Sequence, residues 1–408
     1  MKLTSVLVSA FLGIAAANPF SDPGDDAGLE ARGGYGKCKW NDKRCCKYQD
    51  EDYKGNDKDY GNDHHNKYSR TIYVKYGKSI QRAINSASYG DKIVVAAGTY
   101  AEQLTIDKDG IQLIGHNAVL VPPAKPVHNT CSGLSGDKVQ AGICVTGHGV
   151  KLTKFVTEHR RVISVKRPVK DVLVTGFQVR KSTGLNIVVI GGKNVRVVRN
   201  TAADAGATDA GGYGILTVGS FNTLVKENVV TSTKLGAIGI CMDNQSGVLV
   251  TNNHISNQFV GLCIQTNQAN VQYNQVTDCC FGVFVDPGVQ GAKIRHNHIL
   301  GVHPKCPINI GIVVDGADKI KVLDNLIEGQ KLGGKGAGIS IIDDPCTPQP
   351  PSLACLSLKG PAISSGNIVL RNKLRNNDFD ISVNTKGHDN LIACNECSTP
   401  AKYCKHRY

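Results

Sequence analysis

The sequence predicts an all-β chain built as a parallel solenoid, and three observations carry that prediction. An Asn followed two residues later by a mostly apolar residue recurs at Asn200, Asn228, Asn253, Asn274, Asn297, Asn325 and Asn372, at intervals of 28, 25, 21, 23, 28 and 47 residues. A Gly-apolar-x-apolar tetrad recurs between them, beginning at Gly214, Gly239, Gly261, Gly282, Gly311 and Gly338. The composition agrees: 45 of 408 residues are Gly and only 6% are aromatic, which fits short strands and turns better than helices. A period of about 20–30 residues, with two or three short strands in each, marks coils that cannot bury their apolar residues alone and must stack. Stacked coils lie about 4.8 Å apart and set matching residues in columns. The Asn of each coil is expected to take the left-handed conformation at a turn and to bond the Asn above and below. The Gly opens the tight corner before the next strand.

Taken in order, the chain begins with a leader-like segment. Residues 1–17 carry Lys2, then an apolar run from Leu3 to Ala16, then the small residues Ala15-Ala16-Ala17, so a secreted, extracellular protein is expected. The run is too short to span a bilayer, and nothing later approaches the ~18 apolar residues a span needs. Residues 18–70 read as a low-complexity flexible arm rich in Gly, Tyr, Lys and Asp, without apolar periodicity and tied locally by Cys38, Cys45 and Cys46. The solenoid is expected over 71–395 and a Cys-containing tail over 396–408. It opens with a helix near 79–88 (Ser79-Ile80-Gln81-Arg82-Ala83-Ile84), followed by strands at Lys92–Ala96, Leu104–Ile106 and Ile111–Ile114. Fifteen cysteines in an exported chain point to disulfides, with an odd thiol left over. Cys346 and Cys355 flank a Pro-rich insertion and are expected to pin it, and Cys394, Cys397 and Cys404 to staple the end of the chain.

The stretch SIQRAINSASYGDKIVVAAGTYAEQLTIDKDGIQLIG resembles the capping helix and first coil of right-handed parallel β-helix proteins, the pectin-lyase-like superfamily with carbohydrate-binding and sugar-hydrolase repeats. The resemblance covers roughly residues 71–395. It implies a right-handed parallel β-helix with an N-terminal capping helix, and a substrate lying across the outer face of one sheet. The superfamily includes lyases, hydrolases, esterases, epimerases and non-catalytic members. Motifs that would choose between them are incomplete here. Asp343-Asp344 matches one element of the polygalacturonase-like pattern, and Asp286-Pro287 is half of an alginate-epimerase motif, but the other elements are missing.

Aligning the Gly-started strands puts positions two and four inside and positions three and five outside. The outer columns are then Cys241, Cys263, Phe284 and Val313, and Asp243, Gln265, Asp286 and Asp315. Carboxylates one rung apart repel, and one of them gains a raised pKa unless a proton or cation intervenes. One rung matches the carboxylate spacing of retaining glycosidases, and two rungs approach that of inverting ones. Asp243, Asp286 and Asp315 are therefore catalytic candidates or calcium ligands, with Gln265 beside them to bind substrate. The alternative is that they are strand-end turn residues. No other metal or cofactor is indicated. Asn244-Gln245-Ser246 is a sequon, so Asn244 is a glycosylation candidate that would crowd Asp243.

The net charge of +13 is not spread evenly. Residues 1–70 are neutral, whereas 151–199 hold twelve Lys and Arg against Glu158 and Asp171. Arg160, Arg161, Lys166 and Arg167 are placed to pair with uronate carboxylates. Nucleic acid would also suit a basic stripe, but the compartment and the lack of aromatic platforms argue against it. The expected function is an extracellular carbohydrate-active enzyme that acts on an acidic polysaccharide by β-elimination or glycosidic hydrolysis. The alternative is a non-catalytic secreted wall-binding or effector protein. Either is expected to be monomeric and without a membrane span.

Overall fold

Between Ser79 and Glu102 the chain builds a cap. Ser79 accepts a hydrogen bond from the Arg82 N–H and starts the helix Ile80–Ser86. The Glu102 carboxylate accepts from the Ile80 and Gln81 N–H groups, an anion on the positive end of the helix. Ile80, Ala83 and Ile84 face inward and close the first coil. The cap belongs to a computed structural model that describes residues 69–206, 212–347 and 351–404. The leader segment and the arm, with Cys38, Cys45 and Cys46, lie outside the described residues but for 69–70.

Below the cap the chain winds into a parallel β-helix. One face is a ten-stranded parallel sheet that runs from Leu104–Ile106 through Tyr213–Val218, Gly236–Asp243, Gln258–Ile264, Phe281–Val285, Asn309–Asp315 and Gly336–Ile342 to Phe379–Asn384. The other faces form a continuous assembly of twenty-two short strands, from Thr71–Val74 to Leu391–Ala393. Tetrad positions two and four (Ile240 and Met242, Leu262 and Ile264, Val283 and Val285, Ile312 and Val314) fill the interior as expected. Each fully buried side chain of this kind contributes about 1.5–3 kcal/mol, so the stack of coils carries the fold. The tetrad glycine is required by crowding. A Cβ on Gly282 would sit 2.5 Å from the Gly311 carbonyl and 2.5 Å from an Ile299 methyl.

Position three differs from the expectation. Cys241, Cys263, Phe284 and Val313 do point out of the coil, but they are buried in a second apolar layer with Leu134, Val139, Phe259 and Phe281. Excursions that include 131–139, 150–162 and 302–308 cover this face. The Cys131–Cys144 and Cys280–Cys306 disulfides tether two of them, and Cys241–Cys263 joins neighbouring rungs underneath. Cys346–Cys355 pins the Pro-rich insertion, and Cys397–Cys404 staples the tail. Cys279 is the free cysteine among the described residues, buried, with its thiol pushed up to about 12 by desolvation.

The Asn column forms a continuous ladder. From Asn200 through Asn228, Asn253, Asn274, Asn297, Asn325 and Asn372 to Asn395, each backbone N–H and each Nδ2 donates to the Oδ1 of the next Asn; the first rung does so at 2.9 and 3.2 Å. The left-handed residue is not the ladder Asn, as expected, but the one before it: Arg199, Glu227, Asn252, Tyr273, His296, Asp324, Arg371 and Cys394 all have φ between 53° and 58°. The preceding residue makes the corner, which leaves the Asn amide pointing inward to stack.

Candidate functional site

The registers Met242↔Ile264, Ile264↔Val285 and Val285↔Val314 place Asp243, Gln265, Asp286 and Asp315 on successive rungs. Their exposure falls along the column. The Asp243 side chain is 18% exposed, whereas Asp286 is 4% and Asp315 2%. Asp243, Gln265 and Asp286 line a cleft of about 170 Å³ with Arg161, Asn267 and the Pro287–Val289 turn. Its far wall is the insertion, through Leu353, Ala354, Ser357 and Leu358. Asp315 does not line it.

Three residues complete the centre: Glu158 and His159 from outside the repeat, and Tyr213, one residue before the tetrad glycine Gly214. Glu158 comes from the 150–162 excursion. Its Oε2 accepts from Gln265 Nε2 at 2.8 Å, and its Oε1 accepts from the Leu353 N–H at 3.0 Å. The same Gln265 Nε2 also donates to Asp286 Oδ2. The neighbouring His159 is fully buried, with Nε2 3.2 Å from Asp243 Oδ2 and Nδ1 3.3 Å from the Tyr213 hydroxyl. Burial, with Glu158, Asp286 and Asp243 nearby, pushes the Tyr213 phenol well above its ordinary value, so it stays protonated. A phenol that donates to Nδ1 leaves the imidazole proton on Nε2, where it is given to Asp243. His159 thus orients Asp243. Sequence reasoning counted Glu158 only as an acid opposing a basic sector, because excursion residues carry no periodic signal.

Electrostatics separates the carboxyls. Desolvation raises the Asp286 carboxyl well above its usual range, and the nearby Glu158, Asp243 and Asp344 push it further against the opposing hydrogen bond from Gln265. Asp315 is raised likewise by desolvation and by Asp344, Asp286 and Asp343, and its Oδ1 has no hydrogen-bond partner. An oxygen with no donor favours the neutral form. Asp343, in contrast, accepts from the Ser364 and Lys386 N–H groups and serves the coil below.

Of the four basic residues expected to hold substrate, the cleft brings in Arg161 alone. Arg161 has no ion-pair partner among the described residues. Arg160 donates to the Thr153 carbonyl, Arg167 pairs with Asp109 at 2.9 Å, and Lys166 is exposed beside Gly149. The glycosylation expectation at Asn244 is corrected. This side chain is 6% exposed, and its Nδ2 donates to Thr223 Oγ1 and the Gly247 carbonyl, so the fold has no room for a glycan there. Among the described residues, the groups of three ligand atoms close enough for one metal ion are Asp344 with Cys346 and Cys355, and Asp380 with Cys397 and Cys404. Both use disulfide sulfurs. Among the described residues, the Asp column is not one of these groups. No helix of the described residues is long and apolar enough to cross a membrane.

Comparison with known proteins gives the fold a family. The model described as "Right handed beta helix region" matches residues 186–349 and 238–402. No curated protein sequence matches. Among solved structures, DFA-IIIase from Arthrobacter chlorophenolicus A6, without its lid and in complex with GF2, is similar at 12% identity over 82% of this chain and 96% of that one, with a TM-score of 0.51. A family 28 exopolygalacturonase from Yersinia enterocolitica is similar at 12% identity over 79% and 76%, with a TM-score of 0.48. An alginate lyase from Paenibacillus sp. str. FPU-7 is similar at 13% identity over 80% and 99%, with a TM-score of 0.37. The stacked coils, the inward Asn ladder and the family match together place this chain in the right-handed β-helix family.

Proposed function

We propose that this chain is an exported, monomeric glycoside hydrolase that acts on uronate-containing polysaccharide with inversion at the anomeric carbon. One observation carries the reading: a buried carboxyl, Asp286, whose desolvation favours the protonated form, shares a cleft with a second carboxyl, Asp243, two rungs away. Two rungs are about 10 Å between backbones, near the ~6.5–9.5 Å that leaves room for a water in inverting enzymes. Asp286 is the general acid that protonates the leaving oxygen. Asp243, oriented by His159, takes the proton of the attacking water. Burial and then Glu158 raise the Asp286 carboxyl, Gln265 bridges the two carboxyls, and Arg161 meets a substrate carboxylate. Asp286 and Asp315 stand one rung apart, near the retaining spacing, but Asp315 is away from the cleft. β-Elimination is less well supported, because His159 and Tyr213 are buried behind Asp243 rather than open to a sugar proton. The likeness to solved structures supplies the fold alone, and the assignment rests on the cleft. Five disulfides among the described residues support an oxidising, extracellular setting.

The test is turnover on polygalacturonate and alginate. New reducing ends without ultraviolet-absorbing products are expected, and they disappear in Asp286→Asn and Asp243→Asn. Unsaturated products would convert the assignment to a lyase. Retention on the polymers with no products from either would make this a binding protein instead.

A further inference from the structure

We infer that the cleft admits the end of a sugar chain, or a short oligosaccharide, and excludes the interior of a long polymer; the inference rests on the reading of this cleft as a carbohydrate site. A polymer lying along the outer face of a β-helix needs open rungs both above and below the reacting bond. Among the described residues, the column lines the cleft over three rungs, those of Asp243, Gln265 and Asp286, about 10 Å in all.

Towards the N-terminal end the next column position is Val218, which is fully buried. The 150–162 excursion covers that rung. A Cβ on Gly219 would lie 2.6 Å from the Val162 side chain, and His159 is seated on Tyr213. Towards the C-terminal end the next positions are Asp315 and Ile342, each 2% exposed. The segment that follows the insertion covers them. Asp344 and Ala362 exchange backbone hydrogen bonds at 3.0 and 2.8 Å, and Ala362 fills the space over Gly316.

The wall between these rungs and the cleft is fastened at three points. Cys346–Cys355 closes the insertion on itself. The Leu353 N–H is held by Glu158, which comes from 195 residues earlier in the chain. Leu358 lies 3.1 Å from the Cβ position of Gly288. The two covers therefore meet across the column, and the cleft between them is a dead end in both axial directions. Its volume, about 170 Å³, is below the ~300–1,000 Å³ of ordinary ligand pockets, which suits one or two sugar units.

The experiment uses the full chain with polygalacturonate and its oligomers from dimer to octamer. Products are separated by chromatography while viscosity is followed. Release of the shortest product from the first time point, with viscosity falling only in proportion to bonds cut, is expected. A spread of intermediate oligomers with early collapse of viscosity overturns the inference while leaving hydrolysis itself intact. If the cleft binds without cutting, bound protein should scale with the number of chain ends, and scaling with total chain length overturns the inference. Neither products nor binding at any length overturns the carbohydrate reading, and the inference falls with it. A variant that loosens the wall, Cys346→Ser with Cys355→Ser, is expected to raise the ratio of intermediate oligomers to terminal product at least tenfold. Should that variant not fold, the product pattern of the unaltered chain decides alone.

Discussion

Two columns of polar residues run along this β-helix at the same spacing, and they behave oppositely. The Asn ladder is 0–2% exposed, and each side chain from Asn228 to Asn372 both donates and accepts along the stack. The Asp column is also buried at Asp286 and Asp315, yet its members can only accept when ionised. An amide stacked on an amide satisfies itself. A carboxylate stacked near carboxylates must gain a proton or a donor. The ladder is therefore structural at every rung, whereas the Asp column holds two buried carboxyls, Asp286 and Asp315, whose pKa is raised, the first of them at a cleft. Perturbed groups of that kind are what acid–base chemistry requires.

Exchanging the chemistry of the two columns breaks the comparison most sharply. Asp286→Asn gives this rung a donor and removes its proton, so kcat is expected to fall by about 10²–10⁴ while thermal stability at neutral pH stays level or rises. Equal losses of stability and activity would mean that Asp286 is structural only. The reverse change, Asn297→Asp, removes the donor to Asn325 and to the Val271 carbonyl and places a charge inside the ladder. It is expected to cost about 3 kcal/mol or more at pH 7, read by denaturant unfolding, and part should return at low pH as the new acid gains a proton. An unchanged midpoint would show that the ladder is dispensable.

Arg161 sharpens the comparison at the cleft mouth. Arg161→Gln is expected to raise KM on polyuronate about 10- to 100-fold with little change in kcat, from the ~1.5–3 kcal/mol of a charged hydrogen bond. Arg167→Gln, which alters a pair with Asp109 away from the cleft, should leave KM unchanged. Equal effects of the two would assign the binding to the general basic face.

Much of this was legible in the sequence, and the boundary has a physical cause. The Asn ladder, the tetrads and the order of the Asp column follow from periodicity, because coil stacking repeats the same contact at every turn. Cys346 and Cys355 were legible because they flank a Pro-rich insertion inside the longest interval in the Asn spacing. Glu158, His159 and Tyr213 were not. The first two reach the column from an excursion that packs once, and Tyr213 acts through His159 rather than by its place in a repeat. The same excursion bears Arg161, one basic residue of twelve in its sector, and nothing in their spacing separates it from Arg160 or Arg167. Nor does strand alternation distinguish a side chain facing water from one facing a second apolar layer, as Cys241 and Phe284 do.

The smallest effect is on stability against pH. Asp286 and Asp315 have folded-state pKa values raised above those of the unfolded chain. Their contribution is fully present below about pH 4 and is lost as pH rises through the raised values. Asp315→Asn should flatten that decline, and a decline of unaltered slope would place the shift elsewhere.

The most direct test of the central claim is the titration of the Asp286 carboxyl itself. Carboxyl-carbon NMR of the Asp-labelled protein, compared with Asp286→Asn to identify the resonance, reads its protonation from pH 3 to 9. A carboxyl that stays protonated well above the ordinary range, coupled to Glu158 and Asp243, is the predicted result. Titration near pH 4, with a bare carboxylate at neutral pH, would contradict the account.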